Sequence, residues 1–212
     1  MNFQATPPKP AIIEYGVSIL PYAGESESGD QCLIRQGRSD ALIAVADGAG
    51  HGPEAAHAAR LALAAIDGWF KQDVAGLMRR CHQLLRKTRG VVMGVARLDG
   101  ITGALTWLGV GNVTGVVIRR NARYARPEPL LVRPGVVGYR LPPLKPSVAH
   151  MESADLLVLA TDGIAEGYAD QLMGESFASA RPEWIAKWIS RRYSKPSDDG
   201  LVVVARYAPF AR

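Results

Sequence analysis

The run Ala41-Leu42-Ile43-Ala44-Val45-Ala46-Asp47-Gly48-Ala49-Gly50-His51-Gly52 sets an apolar segment against a glycine-rich turn, with one carboxylate, Asp47, at the junction. An uninterrupted apolar run of that length, bounded by turn formers, reads as a buried β-strand; Pro53 and the alanine-rich sequence after it read as the start of a helix. A carboxylate at the end of a buried strand is held on a rigid element yet emerges at a rim, where sites in layered α/β proteins lie. Gly48, Gly50 and Gly52 allow close approaches that larger residues obstruct, so a main-chain carbonyl could face an ion beside Asp47. The same punctuation also serves an ordinary βα turn with its Asp as a cap.

Outward from this stretch, residues 31–36 and 41–46 read as strands joined by a hairpin turn at 37–40, which puts Asp30 and Asp47 on neighbouring strands. Residues 12–20 read as a strand and 21–28 as an acidic, turn-rich loop. After Pro53, the positions Ala55, Ala59, Ala62, Ile66, Trp69 and Phe70 recur at helical spacing. A second helix over 72–88 presents Val74, Leu77, Met78, Cys81, Leu84, Leu85 and Thr88 on one face. Beyond Gly90 the pattern turns to β: segments 91–98, 104–108 and 113–119, separated by turn residues, read as an antiparallel meander.

Short segments near 122–124, 130–132 and 137–141 follow without a definite register. Residues 154–160 form another apolar strand, running into Thr161-Asp162-Gly163. Helices are expected near 164–168 and over 182–193, the latter with Trp184, Ile185, Trp188 and Ile189 on its apolar face, and a last strand over 201–207 follows Asp198-Asp199-Gly200. Residues 1–10 read as a flexible arm and 11–212 as a single domain. The element order gives an α+β class, a four-layer αββα sandwich of two mainly antiparallel sheets flanked by helices.

With 212 residues, 48% hydrophobic and 21% charged, the chain can bury roughly 70% of its unfolded surface in one core and is neither disordered nor fibrous in composition. Its formal charge of +5 is spread out, densest at Arg79-Arg80, Arg119-Arg120 and Arg191-Arg192, so nucleic-acid binding is not indicated. Cys32 and Cys81, with no CxxC spacing, offer neither a disulfide framework nor a zinc site. No run approaches the ~18 apolar residues of a membrane span, and a cytoplasmic location without membrane contact is expected.

Acidic residues stand at strand starts or ends at Asp30, Asp47, Asp162 and the pair Asp198-Asp199, each of these points beside a glycine. Hard cations such as Mg²⁺ and Mn²⁺ take oxygen ligands, and a two-metal site needs several converging carboxylates to hold ions about 3.5–4 Å apart. His51, His57, His82 and His150 show no HExxH arrangement, which leaves oxygen ligation as the fitting chemistry. Taken singly, each Asp can equally be a turn former or cap.

In Ser28-Gly29-Asp30, Val45-Ala46-Asp47-Gly48-Ala49-Gly50-His51-Gly52, Ala160-Thr161-Asp162-Gly163 and Asp198-Asp199-Gly200-Leu201-Val202-Val203-Val204, the sequence resembles the metal-dependent PPM protein phosphatases, in particular the compact bacterial SpoIIE/RsbX type. The motifs keep their order over residues 18–207. The resemblance implies an αββα sandwich with a metal cleft at one edge and a Ser/Thr phosphatase using two divalent cations, Mn²⁺ or Mg²⁺, to activate water without a phosphoenzyme. It makes Asp47 the bridging ligand with the Gly48 carbonyl beside it, gives Asp30 to one cation and Asp162 and Asp198 to the other, and leaves Asp199 as a supporting group or alternate ligand.

His51 is left either as a proton donor to the leaving oxygen or as a turn residue, because larger relatives place their candidate acid directly after the Asp-Gly pair. Those relatives also hold phosphate with an arginine shortly before the first acidic motif, and residues 21–29 contain none. Asn112 stands near an Asp that supports a third metal in some relatives, so a third ion is not expected. Leu201 follows Asp-Gly where Asp-Met-Thr is common, a change expected to affect packing rather than charge.

By the same resemblance, the substrates and partners are phosphorylated STAS-domain proteins of a stressosome or of an anti-sigma-factor-antagonist partner-switching module. Two other functions fit the fold: hydrolysis of small phosphoesters, or an inactive PPM-fold binding module. The complete set Asp30, Asp47, Asp162 and Asp198 argues against the last.

Overall fold

A computed structural model describes residues 11–120, 126–174, 177 and 179–209. Its first strands are β1 (Ile13–Leu20), β2 (Asp30–Gln36) and β3 (Asp40–Gly48), followed by helices α1 (Pro53–Gly68) and α2 (Val74–Leu85). Pro53 occupies the start of α1, and the side chain of Asp73 caps α2 by accepting from the Gly76 N–H at 2.6 Å. Next come β4 (Val91–Asp99), β5 (Ala104–Val110), β6 (Thr114–Ile118), β7 (Glu128–Pro129), β8 (Val132–Arg133), β9 (Ser147–His150) and β10 (Leu156–Ala160). The chain then forms α3 (Tyr168–Gln171), α4 (Pro182–Tyr193) and β11 (Gly200–Tyr207).

The strands form two sheets, one in the order β1-β11-β10-β6-β7, the other β2-β3-β4-β5-β8 with β9 also paired to β5. β3 shows why its sequence is apolar throughout. Leu42, Ala44 and Ala46 pack toward Ala58, Ala62, Leu77 and Met78 of the helices, while Ala41, Ile43 and Val45 join Trp107, Leu159 and Val203 between the sheets. With both faces covered, alternation has no solvent side to mark. A third cluster packs Val158, Val202 and Val204 against Ile185 and Ile189 of α4. The α+β four-layer sandwich expected from element order is therefore present, with two mainly antiparallel sheets flanked by helices.

Several local expectations are corrected. The third strand of the supposed meander, β6, leaves its neighbours and pairs with β10 in the other sheet. Gly111, at φ +99°, turns the chain and donates to the Arg133 carbonyl at 2.8 Å, and Val113 is buried between the sheets just after the crossing. The vacated edge of β5 takes β8 in parallel and β9 in antiparallel pairing, and β9 had no counterpart in the sequence reading.

The helix expected near 164–168 is absent because its backbone is used elsewhere. Ala165 N–H donates to the Tyr193 carbonyl at 2.7 Å and Ile164 bridges Ser194, so the helix starts only after Gly167. α2 is shorter than the 72–88 segment, with Leu84 on its exposed side, and Trp184 of α4 is likewise exposed. The possible segment at 122–124 and the arm at 1–10 lie outside the described residues.

Candidate metal centre

The β2–β3 register sets Asp30 opposite Asp47, and directly opposed residues of an antiparallel pair share one face. The second sheet brings its own carboxylates to the same edge. β10 ends at Ala160, paired with Val202 of β11, so Asp162 follows one strand while Asp198 and Asp199 precede the other. Thr161 ties the sheets together: its hydroxyl donates to Asp30 Oδ2 at 2.7 Å and accepts from the Leu201 N–H at 2.9 Å.

Glycines set how closely these turns approach. A Cβ on Gly163 would fall 1.7 Å from the Asp199 carbonyl oxygen, and one on Gly48 would fall 2.1 Å from the Ala55 carbonyl oxygen in α1. Neither position can carry a side chain without moving backbone. The motif glycines are therefore fixed by packing.

Asp198 and Asp199 have different surroundings. Asp199 is buried and accepts from the Tyr22 N–H at 2.8 Å and the Gly29 N–H at 3.0 Å, one bond to each carboxylate oxygen. Asp198 is exposed, and its Oδ1 accepts from the Asp199 N–H at 2.9 Å. Asp162 is half-buried, with its Oδ2 accepting from Asn112 Nδ2 at 2.6 Å; Lys195 Nζ donates to its backbone carbonyl, also at 2.6 Å.

Burial pushes the Asp47 carboxyl up to about 9, with the charges of Asp30, Asp162, Asp198 and Asp199 adding to the effect. Burial likewise raises Asp30 to about 7, the Thr161 hydrogen bond opposing and the Asp199, Asp198 and Asp162 charges adding. Asp162 is raised by burial and by Asp198, with Lys195 pulling the other way. Desolvated carboxylates crowded at one edge are a high-energy arrangement unless positive charge joins them.

Among the described residues no group of three or more His, Cys, Asp or Glu side chains stands ready-made as a metal cage. The donor set nonetheless fits a hard divalent cation. Its side-chain donors are all carboxylate oxygens, it is partly buried, and its excess negative charge is what such an ion neutralises. Neither cysteine offers a competing nucleophile, since burial raises the Cys32 thiol to about 11 and the Cys81 thiol to about 12.

His51 stands exposed at the glycine turn, its Nδ1 2.8 Å from Glu25 Oε1 and its ring 5.0 Å from that of Tyr22. Sequence reasoning named Asp30, Asp47, Gly48, Asp162, Asp198, Asp199 and His51; the fold brings the five aspartates and Gly48 to one edge, with His51 on the exposed turn after β3. It missed Thr161, Glu25 and Lys195. Thr161 was legible as the polar residue closing an apolar strand beside Asp162, whereas Glu25 and Lys195 carry no local signal. Arg89 places a cation beside the glycine turn, with Nη1 3.1 Å from where a Gly50 Cβ would be and an exposed ion pair to Glu54.

The family model for stage II sporulation protein E, SpoIIE, matches residues 37–207. The phosphoserine phosphatase RsbX of Bacillus subtilis (strain 168) is 23% identical over 141 residues, spanning 66% of this chain and 69% of RsbX. A chain solved for the bacterial stressosome, described as a modular system adapted to control secondary messenger signaling, superposes with a TM-score of 0.83 at 31% identity, covering 92% of this chain and 99% of that one. RsbX in complex with magnesium superposes with a TM-score of 0.81 at 20% identity, covering 92% and 96%.

Proposed function

The chain belongs to the SpoIIE family of PPM-type phosphatases, and from that membership we propose that it is a metal-dependent protein phosphatase that removes phosphate from phosphoserine or phosphothreonine. Its substrates in this reading are STAS-domain proteins of a stressosome or partner-switching module, supported by likeness to RsbX and to a stressosome chain. The observation that carries the chemistry is the meeting of Asp30, Asp47, Asp162 and Asp198 at one sheet edge, with Asp30 and Asp47 held well above the ordinary carboxylate range.

Asp47 would be shared between two Mn²⁺ or Mg²⁺ ions with the Gly48 carbonyl, Asp30 would serve one ion, and Asp162 and Asp198 the other. Such ions supply a water ionised near neutrality and offset the charge on phosphate. The protein's own groups do the positioning. Thr161 holds Asp30 through Oδ2, leaving Oδ1 for an ion, and Asn112 orients Asp162 as a neutral donor. Asp199, each of whose oxygens already accepts from the loop at 22–29, is in this reading a support, with Asp198 the ligand. Glu25 Oε1, 2.8 Å from His51 Nδ1, orients the ring and leaves Nε2 as the atom that would serve the departing serine or threonine oxygen.

The test is hydrolysis of p-nitrophenyl phosphate by purified protein with Mn²⁺, with Mg²⁺ and with chelator, alongside Asp47→Asn. Turnover that needs metal and falls about a hundred- to a thousandfold in the variant is expected, the scale of losing a group that stabilises transition-state charge. Full activity in Asp47→Asn would refute the assignment. Absence of both metal binding and turnover in the wild type would point to a binding module instead.

A further inference from the structure

A groove of about 390 Å³ opens between the outer edge of β6 and the chain running from Ile164 into α3, and the chemistry above makes no use of it. Its walls include Thr114 and Val116 of β6, Pro129 and Leu130 along that edge, and Ile164 and Tyr168 opposite. Its volume lies within the range of small-ligand sites, roughly 300–1,000 Å³. Leu130, Ile164 and Tyr168 are buried in the walls, and the Tyr168 hydroxyl is engaged by Thr114. Tyr168 also packs edge-on against Tyr193 at 6.0 Å. At the open end Gly167, at φ +97°, has no atom nearer than 3.9 Å to where its Cβ would be.

Position gives the groove its meaning. Ile164 is two residues past Asp162, so their Cα atoms lie within about 8 Å. Thr114 is two residues past Asn112, whose amide touches Asp162. The cleft thus begins where the carboxylate cluster ends. Among the described residues none of its lining side chains is cationic and one, Glu166, is anionic, so it does not suit phosphate. An extended peptide advances about 3.4 Å per residue, which brings a near neighbour of a phosphoserine seated at Asp162 over the groove.

We propose that this groove is a specificity subsite that receives an apolar side chain of the phosphoprotein substrate, flanking the phosphorylated residue. The inference rests on the phosphatase reading above and adds what selects among substrates of one chemistry. A leucine-sized side chain leaves water for the walls of Val116, Leu130 and Ile164, while a polar one gives up hydration against those same apolar walls.

The probes are short synthetic phosphoserine peptides in which a single leucine, or an asparagine in its place, is moved through the flanking positions of a Gly/Ser background. Wild-type kcat/KM is expected to favour leucine over asparagine by about tenfold or more at one position. Ala169→Trp, which fills the groove, should bring that ratio close to one. Because the ratio is taken within one preparation, a general loss of activity cancels. If Ala169→Trp does not fold, Val116→Asn supplies the same ratio.

No leucine preference at any position, or a preference untouched by groove variants, overturns the subsite while p-nitrophenyl phosphate turnover leaves the phosphatase reading standing. No wild-type turnover of either the ester or the peptides sinks both.

Discussion

Asp198 and Asp199 are neighbours in sequence with opposite surroundings, and the difference can be measured. In Asp199→Asn one of the two backbone donors, Tyr22 N–H or Gly29 N–H, would face an amide NH₂ instead of an acceptor. A buried donor left unmatched costs about 1–3 kcal/mol, and for a chain of this size each kcal/mol moves the melting temperature by about 2–4 °C. Thermal unfolding in chelator should therefore show a drop of several degrees for Asp199→Asn and almost none for Asp198→Asn. Calorimetric Mn²⁺ titration should show more than about tenfold weaker binding for Asp198→Asn, the loss that even outer partners of metal ligands cause. Equal thermal shifts in the two variants would reverse their roles. At this scale the sequence was informative for groups that sit in motifs, and silent for Glu25, which reaches His51 from a loop 26 residues away in the chain.

Among elements, the meeting of the turn after β10 with the turn before β11 controls the site. Gly163→Ala sets a methyl against the Asp199 carbonyl, where 1.7 Å is available; the turns must part, with an overpacking cost of about 1–3 kcal/mol and loss of Mn²⁺ affinity. Gly68→Ala, at the end of α1 where a methyl meets nothing within 4 Å, is the matched control, expected to be neutral or stabilising by up to ~1 kcal/mol. Unfolding curves of equal midpoint for the two variants would show that the close approach is not required.

Elements whose faces are both buried, such as β3, β10 and β11, or that carry a clear stripe, such as α4, were legible because local pattern and packing agree. β6 was placed in the wrong sheet because a turn at Gly111 looks the same locally whether the chain folds back or crosses over. The 164–168 segment misled because its helix-like apolar spacing serves contacts with α3 and α4 rather than a helix of its own.

The whole molecule should carry its site as a pH-dependent strain. From an ordinary 3.8, Asp30 rises to about 7 and Asp47 to about 9 on folding. Between about pH 4 and 9 the folded chain thus retains protons that the unfolded chain has released, and stability falls as pH rises. These groups favour folding most fully below about pH 4, and that contribution is lost through pH 7 and 9. The chelated protein should melt progressively lower as pH rises from 5.5 to about 9. Mn²⁺ at a fixed concentration binds the ionised carboxylates more tightly as pH rises and should widen its advantage over chelator across the same range, an advantage of about 2.7 kcal/mol where the ion stands at a hundred times its Kd. A chelated protein that gains stability from pH 6 to 9 would contradict this account of the carboxylates.

β11 is an interior strand of its sheet, hydrogen-bonded on one side to β1 and on the other to β10. Among the described strands, β1 therefore gains its partner only from β11. During synthesis, no nascent chain ending before Gly200 can complete that sheet or bring Asp198 into register beside Asp162. Ribosomes stalled upstream would display a half-built, inactive sandwich with the open edges of β1 and β10 for chaperones to shield, and activity would begin abruptly once β11 has emerged.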